Sequence, residues 1–295
     1  MRGVHAAIVT HFDDELNVDH DAVAAEVGRL TAAGAHGIVP NGTVGEGGSL
    51  SRDERRAVVE TVVGATHGRV PVCAGVSAAT AEQAAVYARD ARSAGAESVM
   101  TLPPLLYRAD RRELAEFFGH VARAAELPLL VYNNPMSSGS DMPPELLAEL
   151  VQAVPSIVAI KETSGDARRI AELVNLLPEI DIMVGGDDWA LEGFCAGAAG
   201  WVSGVVDVFP AESVRLWDLC LAGALPEARA LYAALLPLAR LDMTPKLVQY
   251  FKAALDEIGI GGGPCRPPRL PLTEEELATL REAVADGLAV TARRR

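Results

Sequence analysis

Ile157-Val158-Ala159-Ile160 is an apolar run closed by Lys161 and followed at once by Glu162-Thr163-Ser164-Gly165-Asp166. The run has the length and β-branched content of a buried strand, and Ser164-Gly165-Asp166 has the composition of a turn leading into a helix cap. Lys161 is one of only three lysines, with Lys246 and Lys252, among 26 basic residues. A lysine at a strand end keeps its stem in an apolar wall and turns its amine toward a cleft. Desolvation there disfavours the ammonium, and a neutral amine is a nucleophile suited to Schiff-base chemistry. On position alone, such a lysine more often snorkels to solvent. Its neighbours decide between the two.

Moving outward, similar Val/Ile/Leu-rich runs recur at about 5–10, 36–40, 70–75, 97–102, 128–132, 157–161, 181–185 and 200–203, each followed by an Ala-rich amphipathic stretch. Helix starts are signalled by Ser51-Arg-Asp-Glu54, Thr80-Ala-Glu-Gln83 and Asp110-Arg-Arg-Glu113, which have the form of capping boxes, and by Asp166 and Asp187 at N-cap positions. Short apolar strands buried on both faces belong to a parallel sheet. Eight such βα units predict an α/β fold, a (β/α)8 TIM barrel with a C-terminal helical extension. The expected division is 1–222 for the barrel carrying the active site and 223–295 for the extension, with helices near 225–237, 243–258 and 274–289.

The chain has 295 residues, 49% of them hydrophobic, and a net charge of −14. That balance argues against nucleic acid or an anionic membrane as partner. No apolar stretch approaches the roughly 20 residues of a membrane span. The Arg293-Arg294-Arg295 tail reads as a solvated end. Cys73, Cys195, Cys220 and Cys265 lie far apart, which suits reduced thiols and a cytoplasmic location.

In a barrel the chemistry sits at the C-terminal strand ends. There the sequence places Asn41-Gly42-Thr43-Val44-Gly45-Glu46 after strand 2 and Leu105-Leu106-Tyr107 after strand 4. Tyr132-Asn133-Asn134-Pro135 ends strand 5, Lys161 ends strand 6, and Val202-Ser203 lies in strand 8. A Gly-Thr turn with free N–H groups can hold a carboxylate without a basic side chain. Tyr132 shares a strand face with Leu130 and could pass protons to an amine on the adjacent strand. Loop, phenol and lysine together describe a pocket for a 2-oxo acid or its cyclic imine.

Gly42-Thr43-x-Gly45-Glu46, Tyr132-Asn133-x-Pro135 and Ile160-Lys161-Glu162-Thr163-Ser164-Gly165-Asp166, in this order, resemble the dihydrodipicolinate synthase / N-acetylneuraminate lyase family across essentially the whole chain. The resemblance implies that Lys161 forms the Schiff base, that Tyr132 transfers protons, and that Thr43 with the Val44 N–H clamps the carboxylate beside Gly45. It also implies that Val202 and Ser203 line the floor and that the protein is a homotetramer. Leu106, Ser137 and their neighbours Leu105, Met136, Ser138 and Trp189 are expected around the substrate's tail.

Three positions depart from true dihydrodipicolinate synthases. Val44 stands where those enzymes have a second threonine in a hydroxyl relay, and Leu106 stands where they have a tyrosine. Met136-Ser137-Ser138 lacks the arginine that meets the aldehyde substrate. With Tyr107-Arg-Ala-Asp110 and Asp242-Met-Thr-Pro-Lys-Leu-Val-Gln249, the sequence is most similar to a branch of Δ1-pyrroline-4-hydroxy-2-carboxylate deaminases. A dihydrodipicolinate synthase-like enzyme or a 2-keto-3-deoxy sugar-acid aldolase or dehydratase would use the same lysine and tyrosine. No cofactor or metal is expected, since the six histidines show no H-x-H or H-x-x-E spacing. A metal-dependent barrel, a phosphate- or flavin-binding barrel, and a sugar-acid sensor without catalysis are the readings from other classes.

Overall fold

A computed structural model describes residues 1–292; the tail at 293–295 lies outside the described residues. Eight parallel strands appear where the apolar runs predict them. They are β1 (Gly3–Ala7), β2 (Gly37–Val39), β3 (Cys73–Gly75), β4 (Ser98–Thr101), β5 (Leu129–Asn133), β6 (Ile157–Glu162), β7 (Asp181–Val184) and β8 (Gly200–Ser203). Their spatial order is β2-β1-β8-β7-β6-β5-β4-β3. The circle closes between β2 and β3 through the Ile38–Val72 bridge, with Ile38 N–H donating to Pro71 O (3.0 Å) and Gly75 N–H to Pro40 O (2.9 Å). Almost every strand residue is buried, as helices on one face and the barrel interior on the other require.

β1 ends earlier than its apolar run because the backbone beyond it finds other partners. Val9 N–H donates to the Asp207 carboxylate (2.8 Å), and the Thr10 hydroxyl to Gly45 O (2.7 Å). The capping boxes at Ser51/Glu54 and Asp110/Glu113 form in full. Thr80 caps Gln83 N–H, but the Gln83 amide turns to the Tyr87 hydroxyl instead of closing the box. Asp166 accepts Arg168 N–H (3.0 Å) from one position ahead of the cap, because the helix takes Ala167, not the expected Asp166, as its N-cap, with no side-chain bond. Asp187 is no cap: its buried carboxylate accepts the Trp201 indole N–H (2.9 Å) and Val205 N–H (3.0 Å), holding the end of β8.

Helices Leu225–Asp242, Leu247–Glu257 and Glu274–Ala292 follow the barrel, the first running on through Pro237. Tyr232 on the first donates its hydroxyl to Asp187 O (2.7 Å), which ties this helix to the end of β7. The extension therefore packs against the same strand ends that carry the candidate chemistry. Among the described residues, no helix is long and apolar enough to cross a membrane.

Candidate active site

The register between β5 and β6 pairs Tyr132 with Lys161 and Asn133 with Glu162. Alternation along each strand then sends the two pairs to opposite faces. Tyr132 and Lys161 line a cavity of about 260 Å³ at the barrel mouth. Asn133 and Glu162 face away from it, where the Asn133 amide donates to Glu162 (2.9 Å) and to Met142 O (3.2 Å). Burial pushes the Glu162 carboxyl above its ordinary range, against the Asn133 and Ser164 hydrogen bonds. This outer pair fixes the loop after β5 onto the end of β6.

Only 6% of Lys161 is exposed, and its Nζ lies 4.3 Å from the centroid of the Tyr132 ring. The amine thus sits over the aromatic face, within reach of a carbonyl carbon bound beside the phenol. Behind it, Gly185 leaves room for the lysine stem. A Cβ there would stand 2.8 Å from both Cγ and Cε of Lys161.

The loop after β2 forms the opposite wall through Gly42, Thr43 and Val44. It closes on itself through Glu46 N–H to Thr43 O (3.2 Å) and Gly47 N–H to Gly42 O (3.1 Å), so these internal bonds do not draw on the N–H groups of Thr43 and Val44. Arg55 supports it from behind, donating to Gly47 O and to Gly75 O (2.7 Å). Glu46 points away from the cavity into the C-terminal extension, pairing with Lys252 (2.9 Å) and Arg269 (3.3 Å). The glutamate of the Gly-Thr-x-Gly-Glu run is therefore an anchor for the loop.

Thr43, Val44, Ser137 and Val202 line the cavity, as the sequence analysis expects, and Met136 joins them. Gly45, Ser203 and Leu106 do not. Gly45 is packed behind the loop, where a Cβ would come within 2.9 Å of Ile8 O. Ser203 is buried beside the Asp187 carboxyl. Leu106 is 79% exposed, on the outer surface of the loop after β4. Trp189 is buried behind the wall, and Ser138 spends its hydroxyl on Asn134 O and Ser140 O.

Several lining residues escaped the sequence reading. Thr163 and Gly185 follow their strands directly, so strand-end position alone would have found them. Asn134 was visible only as part of the Tyr-Asn-x-Pro run. Asp242, Met243, Thr244, Pro245 and Leu247 come from the extension, so the lining crosses the expected boundary at 222. Asp242 is half-buried at the cavity, and its carboxylate lies 3.5 Å from Asp187 N. Burial raises the Asp242 carboxyl to about 6, while the charge of Lys161 pulls the other way.

The family model for the dihydrodipicolinate synthetase family matches residues 1–286. The 4-hydroxy-tetrahydrodipicolinate synthase of Methanothrix thermoacetophila is 35% identical over 289 residues, 96% of each chain. A DapA-like lyase of Halobacterium salinarum is 33% identical over 287 residues, covering 97% of this chain and 94% of that one. Among solved structures, the 4-hydroxy-tetrahydrodipicolinate synthase of Methylacidiphilum fumariolicum superposes with a TM-score of 0.95 at 30% identity, covering 99% of this chain and 98% of its own. A prophage protein of E. coli, solved in complex with pyruvate, gives a TM-score of 0.91 at 25% identity over 98% of this chain and 99% of its own. Fold, strand-end residues and whole-length similarity agree, and the chain belongs to the dihydrodipicolinate synthetase family of aldolase-type lyases.

Proposed function

We propose that the protein is a lysine Schiff-base lyase or deaminase for a small 2-oxo acid or its cyclic imine, with Δ1-pyrroline-4-hydroxy-2-carboxylate as the preferred substrate. One observation carries the reading: among the described residues lining the cavity, the charged side chains are Lys161 and Asp242, and none is an arginine. A single carboxylate can rest on the N–H groups of Thr43 and Val44. A second anionic substrate would meet Asp242, and Lys161, which is taken up as the nucleophile, is no counter-charge for it.

Lys161 attacks C2 of the ring imine, and Tyr132 carries the protons that the nitrogens exchange. Collapse of the adduct breaks the C2–N bond of the ring and leaves the lysine iminium; the Tyr132 phenolate removes a C3 proton, and the enamine electrons expel the 4-hydroxyl as water. Asp242 is the group suited to protonate it, because its raised carboxyl still holds a proton in part near neutral pH. Hydrolysis releases ammonia and 2-oxoglutarate semialdehyde. The names of the relatives favour a second reading, condensation of pyruvate with an aldehyde as in 4-hydroxy-tetrahydrodipicolinate synthesis. It shares the lysine and tyrosine steps. The pyruvate complex of the prophage relative supports a 2-oxo acid in either case.

A homotetramer fits the apolar side chains of Leu106 and Met136 exposed around the barrel mouth, and free cysteines fit a reducing cytoplasm.

The test is borohydride reduction with intact-mass detection and peptide mapping, using pyruvate, 2-keto-3-deoxy sugar acids and the hydroxypyrroline carboxylate in turn. We expect an adduct on Lys161, formed fastest from the pyrroline and accompanied by ammonia release. Lys161→Ala should give neither adduct nor turnover, and Tyr132→Phe should slow turnover by roughly 10²–10⁴-fold. Turnover of pyruvate with aspartate semialdehyde, and none of the pyrroline, would move the assignment to the second reading. Absence of any adduct on Lys161 would sink both.

A further inference from the structure

We infer that Asn134 is a positioning residue for proton transfer: its side-chain N–H holds the Tyr132 phenol oxygen and stabilises the phenolate that forms during Schiff-base chemistry. The inference rests on the lysine–tyrosine reading of the site and adds to it a residue that acts through the phenol.

Asn134 is buried and lines the cavity. It is the N-cap of the short helix Pro135–Ser138, and its side-chain oxygen accepts Ser137 N–H at 3.0 Å. A backbone N–H can only donate, so this contact settles which end of the amide is oxygen. The NH₂ end then faces Tyr132 and donates to its hydroxyl oxygen at 2.9 Å. With that lone pair engaged, the phenol's own hydrogen is turned elsewhere. Val44 and Leu106 stand where true dihydrodipicolinate synthases are expected to carry the hydroxyls of a relay. Neither can serve here, since valine and leucine have no hydroxyl to pass a proton. An amide two residues along the same strand end supplies the donor instead.

The donor matters because the phenol cycles through its anion. Lys161 Nζ forms a bond to C2 of the 2-oxo acid, the carbonyl π pair moves to oxygen, and the phenol gives that oxygen its proton. The phenolate then takes a proton from the new ammonium, leaving a neutral carbinolamine and the phenol. A second donation expels the hydroxyl as water and leaves the iminium with the phenolate, which can remove a proton from C3 to form the enamine. At each ionised stage the Asn134 N–H···O contact becomes a charge-assisted bond, stronger than the one to the neutral phenol.

The readout is the rate of borohydride-trapped adduct formation at Lys161 with saturating pyruvate. Asn134→Ser and Asn134→Asp both retain a side-chain oxygen suited to the N-cap, so the helix is kept; the ionised Asp has no donor, and the Ser side chain ends one bond short of the amide nitrogen that meets the phenol. Each should slow trapping by roughly 10- to 100-fold, the range for losing a hydrogen bond to a charged group. In a Tyr132→Phe background, Asn134→Ser should change the rate by less than about twofold, because the group it acts through is gone. Wild-type trapping rates in both single variants would overturn the inference. Equal slowing by Asn134→Ser with and without the Tyr132 hydroxyl would overturn it too, marking a purely structural cap. Failure of the wild-type enzyme to trap pyruvate on Lys161 would remove the lysine reading and this inference with it, an outcome distinct from the other two.

Discussion

Lys161 is confined by a residue with no side chain. A Cβ at Gly185 would lie 1.8 Å from Thr163 Oγ1 and 2.8 Å from the Lys161 Cγ and Cε atoms. Glycine at the end of β7 therefore lets the lysine stem lie flat against the strand ends, with its amine over the Tyr132 ring. Gly185→Ala removes no functional group, yet it must push the stem aside. Displacement of a reacting atom by about 1 Å can cost 10²-fold in rate, and overpacking typically costs about 1–3 kcal/mol of stability. We expect slower trapping of pyruvate by roughly 100-fold, with the fold retained. Trapping at the wild-type rate in this variant would show that the stem is not held by the close approach.

At the scale of elements, the end of helix Leu225–Asp242 brings a carboxylate to the barrel mouth, next to the end of β7. Burial raises the Asp242 carboxyl from 3.8 to about 6, against the pull of the Lys161 charge. The folded protein therefore holds this proton more tightly than the unfolded chain does. Its contribution to stability is complete below about pH 4 and is lost as pH rises through about 6. Between pH 4 and 7 the urea midpoint of the wild type relative to Asp242→Asn should fall with this sign, while His5 and His11, lowered to about 4 by burial, act oppositely and equally in both proteins. An identical pH dependence in the two proteins would refute the assignment. Glu54 shifts the opposite way, down to about 2, because Arg266 hydrogen-bonds its carboxylate. Its window lies below 4.5, so it does not mask the Asp242 slope.

For the molecule as a whole, the extension is fastened to the loop that would hold the substrate carboxylate. Glu46, fully buried, pairs with Lys252 of helix Leu247–Glu257 and with Arg269 beyond it. Arg266 reaches across to Leu16 O, Ser49 O and Glu54 and stacks on Phe12. Lys252 is held by Glu46, by Pro264 O (2.6 Å) and by the face of Phe12. Burial pushes the Lys252 ammonium below its ordinary range, and Glu46 opposes that shift. Glu46→Ala would leave the lysine buried without its counter-charge, at a cost of about 3–5 kcal/mol. The expected outcome is a lower urea midpoint, together with weaker substrate binding through the loosened loop. An unchanged midpoint would show that water or a rearrangement compensates the charge.

The sequence by itself determined the features that depend on near neighbours. Short continuous apolar runs rich in β-branched residues marked the eight strands, and Ser51/Glu54 and Asp110/Glu113 marked helix starts through contacts three residues apart. Lys161 and Tyr132 were legible because each ends a strand, where a barrel puts its chemistry. Tertiary structure alone decided how those strands slide against one another. The ladder pairs Leu129 with Ile157 but Leu130 with Ala159, an irregularity that gives β6 one extra residue at Val158. Without it Tyr132 would face Ile160, and the lysine would point to the opposite face of the sheet. Asp187 looked like a helix cap in sequence, but closure of the barrel put Trp201 N–H and Val205 N–H within its reach. Asp242 enters the cavity from a helix that local pattern could place only outside the barrel. These outcomes follow from contacts between residues far apart in the chain, whose geometry exists only once the sheet has closed on itself.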